Sequence, residues 1–140
     1  MRHAQWLSVS FCAIFLLCVA AQADQLKFTA DLAPGPGITS SGKGAATASL
    51  DTATKTLTWS VEYSGLSGPA TAAHIHGPAD PGADAGVVVP FTGNLASPIK
   101  GSATLTDTQI AQLEAGKWYV NIHTAANKGG EIRGQLVHAP

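Results

Sequence analysis

Thiols are absent from most of this chain. Its two cysteines, Cys12 and Cys18, and its one methionine, Met1, all fall within the first eighteen residues. A disulfide framework, a cysteine nucleophile, a thiolate metal site and a Met-rich copper(I) carrier are therefore excluded from the remainder. Charge is sparse too: Asp, Glu, Lys and Arg make up 12% of residues and form no run of one sign. That leaves no basic patch to neutralise a phosphate backbone or to hold an anionic membrane surface. Aromatic residues are few, and Trp59, Trp118 and Tyr119 fit hydrophobic packing better than a binding platform. No N-x-S/T acceptor is present.

The apolar run at the N-terminus is short. Arg2 and His3 precede an apolar stretch from Leu7 to Ala20, and Ala21-Gln22-Ala23 has the A-x-A form of a cleavage site. Residues 1–23 read as a secretory signal peptide, with Asp24 the first mature residue. The rival, an uncleaved anchor, is poorly served by a run shorter than the roughly 20 apolar residues of a span. Cys18 lacks the small residues that usually precede an acylated cysteine. Losing Arg2 leaves seven Lys and Arg against nine Asp and Glu. A secreted or periplasmic chain of residues 24–140 must then fold on its hydrophobic core alone, and a single domain of that size can do so.

What the mature chain does have is a period of two. Leu26, Phe28, Ala30 and Leu32 alternate with polar residues, as do Leu57, Trp59, Val61 and Tyr63. Further strands are predicted over 44–50, 71–76, 86–91, 99–105, 117–124 and 130–138, each bounded by Gly, Pro or polar residues. About eight short strands at regular spacing predict an all-β fold, a Greek-key barrel or sandwich. The stretch "TDTQIAQLEAG" (106–116) breaks the period. Thr106 with Gln109 makes a capping box and Gly116 a stop, so one short helix is predicted there. Residues 33–44 and 77–86 read as loops.

The histidines carry the chemistry. In "TAAHIH", Ala73 and Ile75 point one way and His74 and His76 the other. In "WYVNIHT", Trp118, Val120 and Ile122 share the apolar face, leaving Tyr119, Asn121 and His123 opposite. If 124–130 is a hairpin loop, His123 faces Glu131, Asn121 faces Arg133 and Tyr119 faces Gln135. Should strand 71–76 lie beside this hairpin, three imidazoles converge. Three neutral imidazoles suit copper(II) first and zinc(II) second. Glu131 is then a fourth ligand or a partner that fixes the His123 tautomer, and Asn121 and Arg133 on the same face are candidates for the same supporting place. An H-x-H pair alone is more often two polar residues on a solvated face, and Arg133 could simply neutralise Glu131 in a salt bridge. His138, beside the C-terminus, reads as solvated. Asp80 and Asp84 supply too few oxygens for calcium.

The segments "AHIHGPADPGADAGVVVPF", "L..GKWYVNIHT" and "GGEIRGQL" resemble the CHRD domain, a family named from the extracellular antagonist chordin and common in secreted bacterial proteins. The resemblance covers about 25–138. It implies a Greek-key barrel similar in general architecture to copper/zinc superoxide dismutase, and makes copper at His74, His76 and His123 an attractive implication. A binuclear dismutase site is excluded, because the mature chain has no cysteine and too few further histidines. A mononuclear copper site with weak dismutase-like activity is not.

Two functions from different classes follow. One is a metal-binding or sequestering module; the other is a structural or protein-interaction domain, as chordin-type assemblies suggest. Enzymatic function has less support. There is no G-x-S-x-G elbow, H-E-x-x-H pair, phosphate loop or nucleotide fingerprint, and no catalytic residue is nominated. Whether the protein has a protein partner or self-associates is open.

Overall fold

The computed structural model describes residues 23–140, so the signal peptide expected over residues 1–23 lies almost wholly outside the described residues. From Gln25 the chain forms β1 (Gln25–Pro34), β2 (Lys43–Asp51) and β3 (Thr56–Ser64), an antiparallel meander in continuous register. Then come β4 (Ala70–His76), β5 (Val87–Pro90) and β6 (Ile99–Thr104). Helix α1 (Asp107–Glu114), β7 (Tyr119–Thr124), β8 (Ile132–Gln135) and β9 (Val137–His138) complete the fold.

Hydrogen bonding follows the order β5-β4-β7-β8-β1-β2-β3-β6, an antiparallel sheet rolled into a nearly closed barrel. The end strands β5 and β6 are not paired with each other. Stacking closes that seam instead: Trp59 of β3 lies on Phe91, just past β5, with ring centroids 4.8 Å apart. The single strand expected over 130–138 is broken at Leu136. Leu136 turns into the core, 1% exposed, and β9 beyond it pairs only with β1.

Alternation explains the interior. Phe28, Ala30 and Leu32, Ala46, Ala48 and Leu50, and Leu57, Trp59 and Val61 form three adjacent columns facing in. Ala73, Ile75, Val120, Ile122 and Ile132 supply the same layer from β4, β7 and β8. Helix α1 begins as expected: Thr106 Oγ1 accepts from the Gln109 N–H and Gln109 Oε1 from the Thr106 N–H. Its Leu113 is fully buried against the core, and Gly116, at φ 69°, turns the chain away.

One irregularity decides which way β4 faces. Ala70 pairs with Thr124, but the next pair is Ala72 with His123, so Thr71 is an extra residue. After this bulge Ala73 meets Ile122 and Ile75 meets Val120 on the core side, while His74 meets Asn121 and His76 meets Tyr119 outside. Continuing the Ala70–Thr124 register without the bulge would set His74 opposite Val120, on the core side.

Candidate metal centre

Strands β4 and β7 are neighbours, and that brings the three histidines together. One ring nitrogen from each of His74, His76 and His123 lies within 4.8 Å of the others. His74 Nδ1 and His123 Nε2 are 3.1 Å apart. Two nitrogens bound at about 2.0–2.1 Å to one ion sit roughly 3 Å apart, so this pair already has a suitable spacing.

The main chain sets the tautomers of two of the rings. His76 Nδ1 lies 2.9 Å from the Ala85 carbonyl, and His123 Nδ1 lies 2.8 Å from the Lys128 carbonyl. A carbonyl only accepts, so both Nδ1 atoms carry the proton and both Nε2 atoms keep a lone pair. His76 Nε2 is buried and has no protein partner. A buried lone pair facing two other imidazoles is costly to leave unfilled, and a cation is a natural occupant. Neutral rings are favoured as well. Burial lowers the pKa of His74, and the His123 and His76 rings beside it lower it further. Burial also lowers that of His76, against the opposing effect of the Ala85 carbonyl.

The polar face of β7 is covered. Tyr119, Asn121 and His123 are 2%, 5% and 8% exposed: the 77–86 loop meets Tyr119 at Ala85, and the 124–130 turn meets Asn121 at Gly129 and His123 at Lys128. Gly77 N–H donates to the Gly86 carbonyl to close the loop, and Gln135 Nε2 and Ala79 N–H tie it down at the Ala79 and Lys117 carbonyls. Asp80 and Asp84 pair with Lys117 and Arg133 rather than with each other. Tyr119, assigned to packing by the sequence, stacks on His76 at 5.0 Å, 5° from parallel, and its hydroxyl accepts from the Ala85 N–H. It supports the His76 ring from behind. The clue lay in its position, two residues from Asn121 on the polar face.

The other expected participants take different places. The hairpin register holds from Tyr119–Gln135 to Ile122–Ile132, with Asn121 opposite Arg133, but Glu131 then donates its N–H to the Ile122 carbonyl instead of standing opposite His123. No hydrogen bond or ion pair joins Glu131 to His123; the ring's nitrogens meet the Lys128 carbonyl and His74. Its carboxylate is fully buried and accepts from Ser40 Oγ (2.5 Å), the Ser67 N–H (2.8 Å), Ser67 Oγ (2.6 Å), Thr124 Oγ1 (2.6 Å) and Asn127 Nδ2 (3.2 Å). Burial pushes its pKa up, but the Ser40, Ser67 and Thr124 hydrogen bonds prevail and hold it at about 2. The carboxylate follows the donors, which gather away from the imidazoles. Arg133 makes no salt bridge with Glu131 either. Its guanidinium binds Asp84 Oδ1 (2.7 Å) and the Ala83 carbonyl (2.6 Å), and lies 3.7 Å above the Tyr119 ring. Asn121 donates to the Gly129 carbonyl through Nδ2, and its Oδ1 is buried without a partner. His138 is exposed on β9, against Phe28 and away from the cluster.

A family model for the CHRD domain matches residues 28–136. The chain belongs to the CHRD family. That span takes in the barrel from Phe28 to Leu136, all three histidines of the cluster and the Glu131 hub. No curated protein and no solved structure matches this CHRD domain. Among its described residues, no helix is long and apolar enough to cross a membrane.

Proposed function

We propose that this CHRD domain is an extracytoplasmic metal-binding module that holds one copper(II) ion, with zinc(II) as second choice, on His74, His76 and His123. The observation that carries the reading is the pair of main-chain carbonyls, at Ala85 and Lys128, that leave both facing Nε2 atoms as acceptors, one of them orphaned. His74 completes the set through Nδ1 by a change of tautomer, with no net loss of a proton. Neutral nitrogen donors without sulfur favour copper(II) over the other divalent first-row ions. The ion would be held for sequestration or delivery. Residues 1–23 act in this reading as the leader that exports a domain beginning at Asp24.

A second reading, a protein-interaction domain without metal, draws on the same geometry. The 3.1 Å contact between His74 and His123 can be a hydrogen bond that satisfies two rings with no ion. Titrating residues 24–140 with copper(II) and separately with zinc(II), by calorimetry and electron paramagnetic resonance, separates the two. One tight equivalent with nitrogen hyperfine structure, lost in His123→Ala, is the expected result. Weak, multiple binding unchanged in that variant would overturn the metal reading in favour of the second.

A further inference from the structure

We infer that Glu131 is a positioning residue for the histidine cluster: through Thr124 and Asn127 it holds the end of β7 and the turn whose Lys128 carbonyl orients His123, and through Ser67 it ties the segment leading into β4 to that end.

The Ala70–Thr124 pair is one residue out of step with the Ala72–His123 and His74–Asn121 pairs, so the bulge leaves the entry of β4 without a continuous ladder to hold it against β7. Ser67, three residues before β4, gives Glu131 both its hydroxyl and its backbone N–H. Thr124, the last residue of β7 and the partner of Ala70, gives its hydroxyl to the same carboxylate, and the two hydroxyls lie 3.3 Å apart. Ala70–Thr124 is thereby fixed as a pair, and the bulge begins at the next residue. Asn127 adds a third attachment, on the loop whose Lys128 carbonyl orients His123. One buried anion thus holds the start of the first histidine strand, the end of the second and the turn between β7 and β8. Ser40 anchors it from the β1–β2 loop.

The test compares wild type with Glu131→Gln and Thr124→Val, the latter keeping the side-chain shape while removing one donor. Leu50→Ala, a core truncation in β2, serves as a control that loses stability without touching the clamp. Long-range nitrogen–proton NMR of the imidazoles without metal reports the His74–His123 contact and the Nδ1 protons. Zinc affinity by competition reports the assembled site; that arm alone rests on the metal reading. In both clamp variants the expected result is altered imidazole signals and zinc affinity weaker by on the order of tenfold to a hundredfold. The Leu50→Ala signals should stay native. Wild-type signals and affinity in a folded clamp variant would overturn the inference. If Glu131→Gln fails to fold, Thr124→Val decides. If wild type binds no zinc, the metal reading fails and the metal-free NMR comparison still decides the role of Glu131.

Discussion

Acid should find Glu131 before it finds the rest of the barrel. The carboxylate is held at about 2 in the folded protein against an ordinary value of 4.5. Because the folded-state value is the lower one, the unfolded chain takes up this proton first as pH falls. The resulting stability is fully present above about pH 5 and drains away as pH drops through the window down to 2. The difference between those two values corresponds to about 3 kcal/mol. That is a sizeable part of the 5–15 kcal/mol that ordinarily separates a folded domain from its unfolded chain. Five donor contacts to one buried charge act in the stabilising direction, and the cost of burying that charge offsets part of what they contribute.

Glu131→Gln isolates the effect. The amide has no charge to titrate, and its NH2 replaces one of the two oxygens: it meets either the Ser67 N–H at the Oε1 position or Asn127 Nδ2 at the Oε2 position, neither of which can accept. Urea unfolding followed by the fluorescence of buried Trp59 and Trp118 should show wild type the more stable by about 3 kcal/mol at neutral pH. The gap should narrow by about that much as pH falls from 5 to 2, because groups that titrate alike in both proteins cancel. A gap that stays constant across this range would refute the reasoning: the carboxylate would then be held no differently in the folded and unfolded states.

Two further outcomes follow from the site itself. The metal-free protein should lose stability as pH falls below about 6.5, because the folded-state pKa values of His74 and His76 lie under the ordinary value and the unfolded chain protonates first. Urea midpoints measured at pH 7.5 and 5.5, window ends set by that value, check the sign, and a midpoint that rises on acidification would contradict it. Gly130→Ala should cost about 1–3 kcal/mol in thermal or urea unfolding, because Gly130 sits at φ 118° and a Cβ there would run into the Asn121 amide. An unchanged midpoint would mean that the 127–130 turn relaxes freely.

How far the sequence could be read depended on distance along the chain. The alternation in 26–32 and 57–63, the Thr106–Gln109 box and the register of the 119–135 hairpin are local signals, and each appears where expected. The pairing of β4 with β7 had no local mark, so convergence of the histidines stood as a condition rather than a reading. Glu131 was misplaced for the same reason. Its register position pointed to His123, but its donors Ser40 and Ser67 are 91 and 64 residues away and look like ordinary loop serines. Burial of the polar face of β7 had no local mark either, because nothing in the Gly-, Pro- and Ala-rich 77–86 loop or in the 124–130 turn announces that it folds back over the strand.

The groups that orient His76 and His123 belong to the peptide backbone at Ala85 and Lys128, not to side chains. Such a support leaves no trace in residue identity. Substitution at either position can drift freely, so an inventory of polar side chains around the imidazoles would find their orientation unexplained. What must be inherited is the length of the two segments that deliver those carbonyls. An insertion or deletion between His76 and Ala85, or between His123 and Lys128, would disorient a ring even with every histidine intact.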